Sequence, residues 1–348
     1  MKVNKMLSGI YLPEQILDNA QLEARNIILP SGKKLLAERI EEKIGVKRRH
    51  ISKKDETVAD LGYKAAMIAI GNKKEIDAVF ASSSHPTPFH VAGEIKNRLH
   101  LSDAEVLDFH AACSGSALMF AYLFENKKKY LDKDILIVAA DKFSNTIVDL
   151  TRPDAMELDP SLGQTIFGDG AAAICFTYGK DIIVHTAIKK PLPNPKGKKD
   201  LILMGVGKNT FIEPCVISPV APSPTTSDFP YGYFTQNGPE VFQVIHNSIP
   251  NVIYEATAKA NLKPLDIDMV IIHPGSRRVV EALTEKLKPD FKVYSDYADA
   301  NMSSVSLMYS FIKAMRTKKI GKGSKVVLCG FGAGSPDLYS TTVVIQLI

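Results

Sequence analysis

Residues 107–124, LDFHAACSGSALMFAYLF, join a strand pattern to a helix pattern through a short turn. A similar stretch, YSDYADANMSSVSLMYSF, occupies residues 294–311 and has the same order of patterns. The segments before and after these two stretches also resemble each other, at offsets of about 188–191 residues. A repeat of three consecutive elements at about half the chain length indicates duplication. Chance similarity between βα units is the alternative.

Strand and helix patterns alternate along the whole chain. The predicted strands, which are short β-branched runs, are Asp77–Ser82, Glu105–Phe109, Asp134–Ala139, Ala171–Phe176, Met269–His273, Phe291–Ser295, Lys325–Cys329 and Thr341–Leu347. The predicted helices are Gly93–Leu99, Ser116–Phe124, Arg278–Leu287 and Val305–Met315. This order predicts an α/β protein. The repeat divides it into an N-terminal half, residues 1–178, and a C-terminal half, residues 179–348.

Two stretches are rich in residues that interrupt regular structure. Lys189–Lys199 reads KKPLPNPKGKK and is predicted to be a surface loop. Pro219–Tyr233 is rich in Pro, Ser, Thr, Tyr and Gly. This second stretch is either an ordered loop over a pocket or a long exposed connection.

The composition is that of a soluble globular protein. Of the 348 residues, 45% are hydrophobic and 23% are charged. No apolar run reaches about 18 residues and no signal peptide is apparent, so we expect a cytoplasmic protein without membrane spans. The formal net charge of +5 is too small to indicate nucleic-acid binding, but it is compatible with a basic docking face for an acidic partner. The cysteines lack zinc-site spacing, and they are Cys113, Cys175, Cys215 and Cys329.

Cys113 lies where a strand pattern ends and a helix pattern begins. The dipole and the free N–H groups of a helix N-terminus favour the thiolate, so we expect a lowered pKa and a reactive cysteine there. Gly115 lets other backbone approach the first turn closely. The alternative is a buried structural cysteine, which is the usual fate of a free thiol.

Two further polar residues follow strands. His273 leaves the sheet at the carboxyl end of an apolar strand, where α/β enzymes place reactive groups, or it simply bonds to a loop. Asn301 is the counterpart of Cys113 in the second half, and its ordinary role would be a helix N-cap. If a pseudo-twofold axis relates the halves, Cys113 and Asn301 converge on one central spot.

The glycine-rich turn GFGAG, residues 330–334, follows a strand. It lacks the spacing and the trailing acidic residue of a dinucleotide fingerprint. We interpret it as a turn that presents backbone N–H groups to a developing oxyanion. A phosphate cradle is the alternative.

Taken together, these segments resemble the β-ketoacyl-acyl carrier protein synthase III family of the thiolase-like superfamily. The resemblance rests on motifs in order along the chain: IGVKRRHIS at 44–52, AACSG around Cys113, IFGDGAAA at 166–173, NGPEVFQ at 237–243, His273, ANMSSVS from 300, and GFGAG. It implies a five-layered αβαβα sandwich of two duplicated halves, usually a homodimer. It also implies an acyltransferase that condenses an acyl group with malonyl-acyl carrier protein.

The resemblance assigns roles to individual residues. Cys113 would be the acylated nucleophile, while His273 and Asn301 would hold the malonyl thioester oxygen and promote decarboxylation. The backbone N–H groups of Cys113 and Ala333 would form an oxyanion hole. No cofactor is bound permanently and no metal is expected. Acyl-coenzyme A and malonyl-acyl carrier protein are substrates, and the carrier protein is the partner.

The expected substrate- or carrier-binding residues depart from the family pattern. They are Arg278, Ser276, Arg39 and Lys43. The family often stacks adenine between a Trp and an Arg, yet this chain has no Trp and carries Arg39 and Lys43 there. The stretch after the histidine is often Gln-Ala-Asn and here is Pro274-Gly275-Ser276, although Arg278 keeps a basic position. These changes point to an atypical acyl primer, or to an acyl donor carried on protein, in a specialised pathway.

Other activities of the superfamily are weaker readings. A biosynthetic thiolase would need a cysteine at Gly330; Cys329 is one residue earlier, on the opposite face of its strand. Hydroxymethylglutaryl-coenzyme A synthase would need a glutamate after the strand at 77–82, where no acidic residue stands. An acyltransferase that passes the acyl group to an amine or a hydroxyl remains open. A non-catalytic partner subunit would have lost its nucleophile.

Basic residues cluster at two places that could meet an acidic carrier protein. Arg277 and Arg278 begin the helix at the expected entrance. Lys47, Arg48 and Arg49 form a second run, which is usually a solvated face.

Overall fold

The computed structural model describes residues 6–28, 32–84, 90–144, 160–199, 201–206, 209–210, 215–217, 232–333 and 337–348. Within these ranges the strands are β1 Leu7–Tyr11, β2 Gln15–Asp18, β3 Arg48–Ile51, β4 Ala78–Ser82, β5 Glu105–His110, β6 Asp134–Asp141, β7 Gly170–Thr177, β8 Ile182–Leu192, β9 Ile202–Val206, β10 Asn209–Thr210, β11 Cys215–Ile217, β12 Gly232–Gln236, β13 Met269–Ile272, β14 Val293–Tyr294, β15 Lys325–Gly332 and β16 Leu338–Leu347. The α-helices are α1 Asn19–Glu23, α2 Ala37–Lys43, α3 Val58–Ile70, α4 Val91–Arg98, α5 Gly115–Glu125, α6 Lys127–Tyr130, α7 Pro160–Ile166, α8 Gly238–Lys259, α9 Arg277–Leu287 and α10 Ser304–Arg316. Two 3₁₀ turns cover Ala112–Ser114 and Pro264–Asp266.

The two main sheets repeat one topology. The N-terminal sheet has the order β1-β7-β6-β4-β5, extended by β11, and the C-terminal sheet has the order β8-β16-β15-β13-β14. In each sheet the first three of these strands pair antiparallel and the last three pair parallel. The predicted division at residue 178 falls between β7 and β8, where this order begins again.

The helices complete five layers. Helices α3 and α4 pack on the outer face of the N-terminal sheet, and α8 packs on the C-terminal sheet with α9 beside it. Helices α5 and α10 lie between the sheets, and their side chains are buried on most sides. The αβαβα sandwich expected from the sequence is therefore confirmed.

Strand β6 illustrates how each sheet serves two cores. Ile135, Ile137 and Ala139 face the central helices, whereas Leu136 and Val138 face α3 and α4. Side chains alternate across a strand, so a strand covered on both faces is apolar throughout. This double burial explains the continuous apolar runs in the sequence.

The predicted strands and helices coincide with observed elements, with bounds that differ by a few residues. The elements not predicted include β1 and α8, where Gly9 and Pro250 interrupt the local pattern. The loop predicted at Lys189–Lys199 is partly wrong, because β8 continues to Leu192. Strand β8 is an edge strand, where Pro191 is tolerated. Pro219–Tyr233 lies mostly outside the described residues.

The basic run at residues 47–49 is not one solvated face. Arg49 is fully buried, and its guanidinium donates to Asn19 Oδ1 at 2.6 Å and to the carbonyl of Thr165 at 2.5 Å. Burial lowers the pKa of Arg49 to about 10. Arg48 Nε lies 2.6 Å from Asp299 Oδ1. Lys47 Nζ lies 3.3 Å from Glu41 Oε1, so all three cations have partners within the chain, but only Arg49 is withdrawn from solvent.

In the described part of the chain, no helix combines the length and apolar character needed to cross a bilayer. No group of three or more described His, Cys, Asp or Glu residues is arranged to hold a metal ion.

Candidate active site

Cys113 occupies a tight turn between β5 and α5. The preceding Ala112 has a φ of 40°, a left-handed conformation that costs energy for a residue with a Cβ. Helix α5 begins at Gly115, two residues after Cys113. A Cβ at Gly115 would lie 1.9 Å from Ser82 Oγ, so only glycine fits between α5 and β4. The close approach expected at this position is present.

The end of β15 packs directly against the Cys113 turn. A Cβ at Gly330 would lie 2.8 Å from Ser114 Cα and 2.9 Å from the carbonyl oxygen of Cys113. A Cβ at Gly332 would lie 3.1 Å from Cys113 Sγ. A cysteine at position 330, as a biosynthetic thiolase needs, would therefore displace the turn that holds Cys113. Cys329 packs in the core between the C-terminal sheet and helices α8 and α9, and its sulfur accepts a hydrogen bond from Thr342 Oγ1 at 3.1 Å.

The contact at Gly330 gives a stability prediction. We expect Gly330→Ala to lower the free energy of unfolding by about 1–3 kcal/mol, because the new methyl group meets backbone that cannot move aside freely. Urea denaturation measures this change. Gly321→Ala is the control, since a Cβ at Gly321 meets no atom within 4 Å. Equal stability of the two variants would contradict the proposed packing of β15 against the turn.

His273 and Asn301 lie side by side in the structure. Asn301 Nδ2 lies 3.4 Å from His273 Nε2, and both side chains are buried. An oxygen atom can lie within hydrogen-bond distance of two nitrogens with this separation. The ring of Phe331 stands edge-on to the imidazole, with centroids 5.7 Å apart. The structure thus brings together the two polar residues singled out at strand ends.

Asn301 is held by backbone from the N-terminal half. Its N–H donates to the carbonyl of Ile166 at 2.8 Å, and its carbonyl accepts from the N–H of Gly168 at 3.2 Å. Its side-chain Oδ1 accepts from the N–H of Ser303 at 2.7 Å. Asn301 therefore does not cap α10 in the ordinary way, and its Nδ2 remains directed at the imidazole.

Burial dominates the electrostatics of the site. Desolvation raises the pKa of the Cys113 thiol to about 12, although the hydrogen bond from Ser303 lowers it. The lowered pKa expected from the helix start is therefore wrong for the free protein. Desolvation also lowers the pKa of His273 to about 3, so the imidazole is neutral at physiological pH. Burial raises the pKa of Asp141, below the site, to about 7.

A cavity of about 660 Å³ leads to Cys113, His273 and Asn301. Ser276 and Lys43 line it, as does Arg278, whose guanidinium lies 4.8 Å from the centroid of the Phe242 ring. Arg39 is exposed on α2 and is not among the lining residues. The structure therefore places three of the four expected binding residues at the cavity and leaves Arg39 outside its wall.

The glycine-rich turn contributes Gly332 and Ala333 to the cavity wall beside Cys113. The oxyanion hole expected from the backbone N–H groups of Cys113 and Ala333 stays a prediction. Gly334 lies outside the described residues. Asp169, in the segment IFGDGAAA at 166–173, accepts from the N–H groups of Phe143 and Ser52 at 2.6 and 2.8 Å. These contacts make it a structural turn residue.

Sequence reasoning missed the hydroxyl groups beneath Cys113. Ser303 Oγ lies 3.4 Å from Cys113 Sγ, and Ser84 donates to Ser303 Oγ at 2.5 Å. The serine pair in ANMSSVS was the available signal. It was not informative alone, because serine is also common at helix starts.

Comparison with known proteins supports one family. The family model described as the C-terminal part of 3-oxoacyl-[acyl-carrier-protein] synthase III matches residues 257–336. A β-ketoacyl-[acyl-carrier-protein] synthase III from Campylobacter fetus is 30% identical, with 96% of each chain covered. The 3-oxoacyl-(acyl carrier protein) synthase III of Pseudomonas aeruginosa PAO1 superposes with a TM-score of 0.75 at 23% identity, with 98% of each chain covered.

A priming β-ketosynthase from the R1128 polyketide biosynthetic pathway shares the fold as well. Its TM-score is 0.72 at 20% identity, and 98% of this chain and 95% of that chain are covered. At such identities the solved structures establish the fold, while the Campylobacter relative establishes the family. The chain belongs to the β-ketoacyl-[acyl-carrier-protein] synthase III family.

Proposed function

We propose that this protein is a condensing enzyme that transfers an acyl group from a thioester to Cys113 and then condenses it with malonyl-acyl carrier protein. The observation that carries the proposal is the convergence of Cys113, His273 and Asn301 on one cavity. The relatives' names support acyl carrier protein as the partner. A homodimer and the absence of a permanently bound cofactor are part of the same proposal.

The residue types suit both half-reactions. Acyl exchange between a donor thioester and the thiol of Cys113 is close to thermoneutral, since one thioester replaces another. Decarboxylation of the malonyl group leaves an enolate, which neutral hydrogen-bond donors stabilise. The neutral imidazole of His273 and the amide of Asn301 meet this requirement. The carbanion then attacks the acyl carbonyl, expels the sulfur of Cys113 and forms the new carbon–carbon bond.

We propose an atypical acyl primer, or one delivered on a carrier protein. Arg39 replaces the Trp expected for adenine stacking and does not line the cavity, so recognition of coenzyme A by stacking is weakened. Apolar side chains dominate the inner wall, which includes Phe167, Ile202, Val241 and Ile245. Such a wall suits an apolar acyl chain better than a charged one.

One experiment tests the acyl donor and the reaction together. The protein is incubated with a panel of acyl-coenzymes A and acyl-carrier proteins, and the mass added to the intact protein is measured. We expect one acyl adduct on Cys113, followed by carbon dioxide release and ketone formation when malonyl-acyl carrier protein is added. Transfer of the adduct to an amine or a hydroxyl without carbon dioxide release would identify the alternative acyltransferase. No adduct from any donor would contradict both activities.

Arg278 gives a prediction about the carrier protein. We expect Arg278→Glu to raise the KM for malonyl-acyl carrier protein and to leave a small malonyl thioester nearly unaffected, because the reversed charge repels an acidic protein. The matched control is Arg277→Glu, since Arg277 lies on the same helix turn but is paired with Glu281 at 2.7 Å and does not line the cavity. Steady-state kinetics at two salt concentrations provide the measurement.

The salt dependence of the same reaction checks the mechanism of docking. The Debye length falls from about 10 Å at 0.1 M to about 3 Å at 1 M salt, so the wild-type KM for the carrier protein should rise with salt. A KM that is independent of salt, together with an unimpaired Arg278→Glu variant, would place the docking surface elsewhere.

A further inference from the structure

A chain of buried hydroxyl groups runs from the core to the nucleophile. The N–H of Ser84 donates to Asp141 Oδ1 at 2.6 Å, and Ser84 Oγ donates to Ser303 Oγ at 2.5 Å. Ser303 Oγ in turn lies 3.4 Å from Cys113 Sγ, within hydrogen-bond distance for sulfur. Ser84, Ser303 and Asp141 are all at most 3% exposed. The contacts at Cys113 therefore continue well below the cavity surface.

The direction of these hydrogen bonds follows from the supply of protons. A serine hydroxyl has one proton to donate and two lone pairs that accept. The Ser84 hydroxyl is within reach of two acceptors, Ser303 Oγ and the carboxylate of Asp141. When Ser84 donates to Ser303, Ser303 accepts there and keeps its own proton. Besides Ser84 Oγ, the hydroxyl of Ser303 contacts the sulfur of Cys113. The hydroxyl proton of Ser303 is then directed at Cys113 Sγ.

The backbone holds Ser303 in place for this contact. Its φ of 47° and ψ of −115° form a strained conformation for a residue with a side chain. Its N–H is fixed by Asn301 Oδ1 at 2.7 Å, and the next residue, Ser304, donates from N and Oγ to Asp141 Oδ2 at 3.1 and 2.7 Å. The hydroxyl of Ser303 is therefore preorganised and does not need to reorient during a reaction.

We propose that Ser303 is a further catalytic residue, which donates a hydrogen bond to the sulfur of Cys113 and stabilises its thiolate. Ser84 and Asp141 are positioning residues that act through Ser303. The sulfur carries negative charge when it attacks the acyl thioester and again when condensation expels it. The hydrogen bond from Ser303 therefore acts in both half-reactions. No bond to the serine forms or breaks, and its proton stays on its own oxygen. This inference rests on the proposed role of Cys113 as the nucleophile.

Two hydrogen bonds oppose desolvation of the sulfur, one from the Ser303 side chain and a smaller one from the backbone of Cys113 itself. Of the titratable neighbours, His273 after β13 is neutral, and Asp141 on β6 disfavours the thiolate when it is ionised. The cations that line the cavity, Lys43 on α2 and Arg278 on α9, reach its wall through long side chains. The hydrogen bond from Ser303 is a short-range contact with the thiol that lowers its pKa.

The test measures the rate of alkylation of Cys113 by iodoacetamide at pH 8, followed by intact mass, with Cys113→Ala as the blank. A hydrogen bond to a charged group contributes enough to shift a pKa by about one to two units. Without the hydrogen bond the thiol has a higher pKa and a smaller fraction of it is thiolate at pH 8, but the more basic sulfur is also a better nucleophile. We therefore expect Ser303→Ala to react about threefold to tenfold more slowly. Ser84→Ala should show a smaller loss of the same sign.

Whether the alkylation rate falls or rises in Ser303→Ala separates a hydrogen-bonding role of Ser303 from a merely structural one. A variant that merely loosens the turn would expose Cys113 and accelerate alkylation. Ser116→Ala is the control, because it removes a buried hydroxyl that contacts Ser304 and not Cys113, and its rate should be unchanged. An unchanged or faster rate in folded Ser303→Ala overturns the proposal. If that variant does not fold, an unchanged rate in Ser84→Ala overturns it.

The measurement also stands apart from the proposed function. Alkylation needs no acyl donor, so a wild-type protein that acquires no acyl mass would contradict the condensing activity while leaving this comparison valid.

Discussion

Cys113→Ala is expected to abolish condensation, with a loss of about 10⁴-fold or more, as is typical when an enzyme loses its covalent nucleophile. The acyl group would have no sulfur to occupy, so the ping-pong reaction could not start. The variant should fold normally, because an alanine side chain is smaller than cysteine and the positive φ belongs to Ala112. Product formation from acyl donor and malonyl-acyl carrier protein measures the effect.

Cys113→Ser and the other cysteines provide the controls for this prediction. Serine keeps a polar group beside Ser303 but forms an oxygen ester, so any acyl group that it accepts should be released poorly to the enolate. Cys329→Ala should retain activity, since Cys329 faces the outer core. Wild-type-like condensation by Cys113→Ala, or an acyl adduct mapped to another cysteine by peptide mass, would contradict the mechanism.

His273→Ala is expected to reduce malonyl decarboxylation about 10²–10³-fold while loading of Cys113 is affected much less. In the proposed mechanism the enolate oxygen needs the imidazole donor, whereas loading uses the backbone N–H groups of Cys113 and Ala333. The pKa of His273 near 3 keeps the imidazole neutral, so its contribution should not titrate between pH 6 and pH 9. Release of carbon dioxide and the rate of acyl adduct formation are measured separately.

Asn301→Asp sharpens the same prediction. The aspartate keeps an acceptor for the N–H of Ser303 but loses the Nδ2 donor that faces His273 at 3.4 Å. A carboxylate there repels the enolate, so decarboxylation should fall at least as far as in Asn301→Ala. Equal loss of loading and decarboxylation in the His273 and Asn301 variants would argue against this division of labour.

Local pattern determined a large part of the fold. Runs such as Asp134–Ala139 and Lys325–Cys329 are strands because their side chains are apolar on both faces, and a sheet between two helix layers accepts only such runs. The repeat of similar elements in the two halves anticipated the common strand order of the two sheets. The positions of Cys113, His273 and Asn301 after strands also followed from the sequence. Cys113 follows a strand of one sheet and the other two residues follow strands of the other sheet, so their convergence depends on how the sheets pack.

Elements with weak local signals depended on their partners. Strand β8 continues through Pro191 because β16 supplies its register on one side and no strand in the described ranges pairs with its other edge. Arg49 stands in a basic run that is typical of a surface, yet it is buried. Its guanidinium donates hydrogen bonds to Asn19 Oδ1 and to the carbonyl of Thr165, which offset the loss of water. Neither partner is close to Arg49 in the sequence, so local pattern could not reveal these contacts.

The order of strand and helix patterns was enough to predict the fold class, and the strand ends were enough to indicate candidate reactive residues. The pKa values of these residues and the hydrogen bonds that hold them depend on the tertiary structure. Desolvation of Cys113 depends on how much of the opposite half covers it, and it outweighs the helix start that the sequence predicts. The contacts among Ser84, Asp141, Ser303 and Cys113 join segments up to 219 residues apart, which meet because two sheets enclose one pair of central helices.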